Sequence, residues 1–107
     1  MPLAITDETF PDFIMHPLAV LSFTSPWCTV CRKIHPALDA LSAQHQGRIA
    51  FGILDVSVSP DTPARFGVLA LPTIIVFNSG SEVSRLSGSV SRAELERVLD
   101  ELSCSIT

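Results

Sequence analysis

The sequence predicts an α/β domain, a mixed central sheet of about five strands flanked by helices in the order β-α-β-α-β-α-β-β-α. Three observations carry this expectation. Short apolar runs rich in β-branched and aromatic residues alternate with stretches whose apolar residues recur at helical spacing. Strand-helix-strand units imply parallel pairing, whereas two late strands joined by a tight turn imply antiparallel pairing. At 107 residues, 47% hydrophobic and 17% charged, the chain has the size of one globular domain spanning 1–107. Such a chain buries enough surface for one layered core without metal or disulfide staples.

Leu3 to Thr6 suits a short edge strand, after which Thr6-Asp7 supplies an N-cap and Phe10, Phe13 and Ile14 fall on one helical face. His16-Pro17 closes that helix. Leu18 to Phe23 is a nearly continuous apolar run, the pattern of a strand buried on both faces, and Ser25-Pro26 breaks it. From Cys28 to His45 the residues Ile34, Leu38 and Leu41 recur at helical spacing, Pro36 predicts a kink, and Gly47 marks the end. Ile49 to Val56 reads as a second buried strand, followed by a short helix from about Asp61 to Phe66 that Gly67 ends. Thr73 to Phe77 is the strongest strand signal; Asn78-Ser79-Gly80 turns it into a partner over Glu82 to Leu86. Ser91-Arg92-Ala93-Glu94 is a capping box, and Val90, Leu95, Val98, Leu99 and Leu102 give the final helix an apolar face.

Several classes of function are excluded or disfavoured by composition. Seven Lys plus Arg against eleven Asp plus Glu leave a net charge of −4, with no basic run longer than Arg32-Lys33, so nucleic acid is a poor partner. No apolar run approaches the roughly 20 residues of a membrane-spanning helix, and the N-terminus has no basic region followed by an apolar stretch. A cytoplasmic location is the expectation. Three cysteines, two of them spaced Cys28-Thr29-Val30-Cys31, do not resemble the disulfide framework of a small secreted domain.

Cys28 follows a buried strand and opens a helix, where unpaired backbone N–H groups and the helix dipole favour the thiolate. The thiolate is the nucleophile of disulfide exchange, and a second cysteine one helical turn on, Cys31, is placed to attack the resulting mixed disulfide. A half zinc site completed by Cys104, His16, His35 or His45, and two inert buried cysteines, are the competing readings.

Phe23-Thr24-Ser25-Pro26-Trp27-Cys28-Thr29-Val30-Cys31-Arg32, then Pro36, Phe66-Gly67-Val68, Leu71-Pro72-Thr73, Asn78-Ser79-Gly80 and Gly88, resembles the thioredoxin family over nearly the whole chain. The resemblance implies the thioredoxin fold and a thiol–disulfide oxidoreductase that reduces protein disulfides. It makes Cys28 the attacking and Cys31 the resolving cysteine, Trp27 an exposed aromatic beside them, and Pro72 a cis-proline facing the disulfide. The Leu71 backbone would then be free to pair with an extended substrate, and Trp27, Leu69, Ala70, Leu71 and the Gly88 loop would form a shallow apolar patch. It further implies a redox-active Cys28–Cys31 disulfide with no bound cofactor or metal, a separate reductase as electron donor, no nucleic-acid or membrane partner, and a monomer.

The sequence departs from the family pattern in two places. Thr29-Val30 replaces the usual Gly-Pro between the cysteines, which leaves the redox poise open. Ser22 and Ile53 stand where the family carries a buried acid and its lysine partner, so proton transfer is expected to use water or Ser22, with slower turnover at neutral pH. Ser25-Pro26-Trp27-Cys28 is also similar to protein disulfide isomerase domains, but these carry histidine between the cysteines, and Leu71 before the proline favours the reductase. The alternative class is a non-catalytic interaction module with the cysteine pair as a redox switch. His35 follows Cys31 by four residues, one helical turn, and reads either as a group that tunes a thiol or, the preferred reading, as a solvated helix residue; Arg32 and Lys33 read as a solvated face or a source of positive charge for the thiolate, and Cys104 as a partly buried residue on the last helix without an evident partner.

Overall fold

Leu18 to Thr24 form the centre of the sheet, and every residue of this strand, β2 (Leu18–Thr24), is buried. The computed structural model describes residues 2–106, apart from the side chains of 104–106. Before β2 come β1 (Leu3–Ile5) and α1 (Phe10–Phe13); after it come α2 (Thr29–Gln44), β3 (Ala50–Asp55) and α3 (Asp61–Arg65). The chain ends with β4 (Thr73–Asn78), β5 (Ser81–Ser87) and α4 (Arg92–Ile106), in the order the sequence predicts. The sheet order is β1-β3-β2-β4-β5. β3 lies parallel to both β1 and β2, while β4 lies antiparallel to β2 and to β5. This is the thioredoxin fold, a mixed five-stranded sheet flanked by helices.

Alternation along the strands divides the core in two. Leu18 and Val20 of β2, Phe51 of β3 and Ile74 and Val76 of β4 pack with Ile34, Leu38 and Leu41 of α2 and Leu95 and Leu99 of α4. Ala19, Leu21 and Phe23 face the other way, onto Ile5, Phe10, Phe13, Leu54, Ile75 and Phe77. There the rings of Phe10, Phe66 and Phe77 form an edge-to-face triangle with centroids 5.4 to 5.6 Å apart. Gly52 is required where β3 passes under α1: a Cβ there would lie 2.5 Å from Ile5 Cγ1 and 2.9 Å from Phe13 Cζ.

The hairpin turn has two residues, Ser79 and Gly80, with φ of 50° and 91°, the left-handed pair that matches strand twist. The capping box of α4 is formed: the Glu94 N–H donates to Ser91 Oγ at 3.1 Å and the Ser91 N–H to Glu94 Oε1 at 3.4 Å. The helix α2 runs unbroken past Pro36 and ends at Gln44, ahead of Gly47.

Of the expected Thr6-Asp7 cap, Thr6 binds the turn ahead of the regular helix, its Oγ1 accepting from the Thr9 N–H at 3.3 Å and its carbonyl from the Phe10 N–H at 2.9 Å. The cap residue of α1 is Thr9, without a side-chain cap bond, and the helix is a single turn. The Asp7 carboxylate instead caps α3, accepting from the N–H groups of Asp61 (3.0 Å) and Thr62 (2.8 Å) and from the Thr62 hydroxyl (2.7 Å). A residue 54 positions away in sequence thus satisfies the first N–H groups of a helix whose own N-cap is Pro60. Desolvation raises the Asp7 carboxyl, but the bonds from Thr62 and Asp61 outweigh it and hold the group below its ordinary range. A folded-state value below the unfolded one gives stability that is present above the unfolded carboxyl range and lost as pH falls through the folded value. Asp7→Asn is therefore expected to be less stable than the parent at neutral pH, with the difference shrinking between about pH 5 and pH 2. Urea midpoints measured at pH steps check this.

Candidate functional site

The backbone of Cys28 is extended (φ −90°, ψ 102°), as an N-cap requires, and α2 begins at the next residue. A turn closed by the Cys28 N–H donating to Ser25 O at 3.2 Å brings the chain off β2. Cys28 Sγ accepts from the Cys31 N–H at 3.2 Å, and the two sulfurs are joined in a disulfide with Cα atoms 5.3 Å apart. When the bond opens, the Cys28 sulfur is left at the positive end of a 16-residue helix with a backbone N–H already directed at it. Cys31, one turn in, is fully buried. Cys28 itself is half-buried, so the pair is asymmetric in its access to solvent.

Strand register gathers the other predicted residues beside this pair. Phe23 of β2 pairs with Thr73 of β4, and Thr73 pairs with Ser87 of β5, so the ends leading to Cys28, from Pro72 and to Gly88 lie at one end of the sheet. The Leu71–Pro72 peptide is cis, and Pro72 O accepts from the Gly88 N–H at 3.0 Å. Thr73 Oγ1 donates to Ala70 O at 2.6 Å, closing the turn ahead of the strand. Trp27 is 78% exposed and Leu69 97% exposed, while Leu71 is half-buried. Trp27 and Leu69 thus leave apolar surface exposed in the segments that flank the disulfide and precede β4.

The Arg32 guanidinium donates to Pro26 O at 2.8 Å and ties α2 to the turn before it. The Cys104 side chain lies outside the described residues. Among the described residues, no group of three or more His, Cys, Asp and Glu is arranged to hold a metal, and no helix is long and apolar enough to cross a membrane.

Ser22 and Ile53 are direct neighbours in the parallel pair of β2 and β3, on the sheet face that α2 covers. Ser22 is fully buried and its hydroxyl has no hydrogen-bond partner. An unsatisfied buried hydroxyl costs about 1–3 kcal/mol, so Ser22→Ala is expected to raise the unfolding free energy by about 1 kcal/mol, read from urea denaturation.

His35 departs from the expectation of a solvated residue. It is half-buried, with a buried and unpartnered Nε2, and it lines an open pocket of about 680 Å3 together with Thr24, Arg32, Ile53 and Asp55. The signal for it in the sequence is position: His35 stands four residues after Cys31, on the helix face that turns toward the sheet.

The thioredoxin family model matches residues 1–101. The thioredoxin of Staphylococcus haemolyticus (strain JCSC1435) is 34% identical over 97 residues, covering 91% of this chain and 93% of its own. Those of Staphylococcus saprophyticus and Staphylococcus aureus are each 33% identical, with the same coverage. With the fold, the cysteine pair and these relatives in agreement, the chain belongs to the thioredoxin family, thiol–disulfide oxidoreductases that act by dithiol–disulfide exchange.

Proposed function

We propose that the chain reduces disulfides in proteins, with Cys28 as the attacking and Cys31 as the resolving sulfur. The observation that carries this reading is the asymmetry of the pair: Cys28 is accessible at a helix N-cap, and Cys31 is buried one turn behind it. The Cys28 thiolate attacks one sulfur of a client disulfide, forming a mixed disulfide and releasing the other client sulfur as a thiolate. Cys31 then attacks Cys28 Sγ, forming the intramolecular disulfide and releasing the second client sulfur. The client gains two electrons and the cysteine pair loses them.

Trp27, Leu71, Pro72 and Gly88 receive the client. An extended segment lies against the Leu71 backbone at the start of β4, with Trp27 and Leu69 as apolar contacts beside Cys28. The redox group is the chain's own disulfide, as in the family generally, and a separate reductase returns it to the dithiol. A cytoplasmic site of action and a single domain of 1–107 fit this reading. It is tested by insulin reduction with dithiothreitol as electron donor. Catalysed precipitation of the insulin B chain, lost in Trp27→Ala at low insulin and recovered at high insulin, supports it; no acceleration over dithiothreitol alone overturns it.

A further inference from the structure

The resolving step requires Cys31 to become a thiolate, yet Cys31 is fully buried and does not touch solvent. Its proton must therefore pass to a group beneath the helix. On that side of the sheet β2 and β3 present Ser22, Thr24, Ile53 and Asp55, by alternation with Val20 and Phe51, which pack against α2. Among the described residues, the buried side-chain polar atoms without a hydrogen-bond partner are Ser22 Oγ and His35 Nε2. Ile53 links the two, pairing with Ser22 across the strands and lining the same pocket as His35. A serine hydroxyl has no useful basicity, whereas a neutral imidazole nitrogen accepts a proton near neutral pH.

We propose that His35 is the proton acceptor for Cys31 in the resolving step. The proposal rests on the reading of Cys31 as the resolving sulfur. Residues four apart on a helix have Cβ atoms about 5–6 Å apart on one face, which puts the imidazole within reach of Cys31 directly or across one water. In the step, the Cys31 S–H proton moves to His35 Nε2 as the Cys31 sulfur attacks Cys28 Sγ. The Cys28–client bond breaks, the client sulfur leaves with the electron pair, and the imidazolium returns its proton to that thiolate or to solvent.

The charges that bear on the ring are few. On α2 they are Arg32 one turn before and the exposed Asp39 one turn after, with Cys31 itself. From β3 comes Asp55, whose Oδ1 accepts from the N–H and hydroxyl of Ser57. The parts of β1 and of the β2–α2 turn that line the pocket contribute no titratable side chain.

The test is stopped-flow reaction of the reduced protein with dithiobis-nitrobenzoate, all variants carrying Cys104→Ser. The first coloured thiolate reports attack by Cys28; the second reports displacement by Cys31. His35→Gln keeps a polar group at the position of Nε2 but no base. It is expected to slow the second phase about 10²-fold at pH 7, the low end for loss of a general base, and to leave the first phase within about twofold. The inflection that ring deprotonation gives the second-phase pH profile is expected to disappear, and added imidazole to restore the rate in His35→Ala. An unchanged second phase and profile in His35→Gln overturns the proposal while leaving Cys31 as the resolver. A second phase that persists in Cys31→Ser removes the resolver reading and the proposal with it. For a variant that does not fold, the parent protein decides: the NMR titration of the His35 ring must coincide with the inflection in the second-phase rate, and a mismatch overturns the assignment.

Discussion

Cys28→Ser is expected to abolish disulfide exchange, lowering turnover by about 10³-fold or more, because a serine hydroxyl is not ionised at neutral pH and cannot attack sulfur. Cys31→Ser is expected to fail differently. The accessible sulfur still attacks, but the mixed disulfide has no internal resolver and accumulates. Intact-mass analysis under non-reducing conditions separates the two: no adduct for Cys28→Ser, and a stoichiometric client adduct for Cys31→Ser. The contrast follows from the geometry, in which the half-buried member of the pair sits at the N-cap and the fully buried one lies a turn deeper. Equal adduct formation by both variants contradicts it.

Phe77→Ala is expected to cost about 3–5 kcal/mol, a large share of the roughly 5–15 kcal/mol by which a domain is stable. Phe77 is fully buried and meets Phe10 and Phe66 edge-to-face at 5.6 and 5.4 Å, so its removal opens the contact that holds both helices on this face of the sheet. The effect reaches the site. Phe66 begins the segment that runs to Leu71 and Pro72, and its carbonyl accepts from the Arg85 guanidinium at 2.8 Å. Thermal unfolding followed by circular dichroism is expected to show a midpoint lower by about 15–30 °C. A cost below about 1 kcal/mol means that the neighbouring rings close the gap, and the triangle is not the structural anchor described.

The elements that sequence makes legible are those whose signals are local. β2 and β4 are apolar because helices cover both faces of the sheet centre, and α4 announces its start with a capping box that the structure forms. The cysteine pair is legible for the same reason, since an N-cap and a residue one turn on are fixed by the helix itself. What local pattern cannot give is the pairing of distant residues. Asp7 reads as the cap of the helix that follows it, yet its partners are Asp61 and Thr62, brought near by the parallel pairing of β1 and β3. His35 is legible by position, one turn after Cys31, but that its Nε2 is buried and that it shares a pocket with Ile53 and Asp55 emerge only from the packing of α2 on the sheet. Ser22 and Ile53 are visible in the sequence as substitutions, but their direct pairing, and the hydroxyl left without a partner, emerge from strand register.

In the proposed function Cys28 and Cys31 form a reversible dithiol–disulfide couple poised to donate electrons. The most direct test is the equilibrium reduction potential of that couple, measured in a Cys104→Ser background by trapping free thiols across a dithiothreitol or glutathione series. The expected value is near or below about −250 mV, at which the dithiol is a competent donor to protein disulfides. A value above about −200 mV, or no intramolecular disulfide at all, contradicts it.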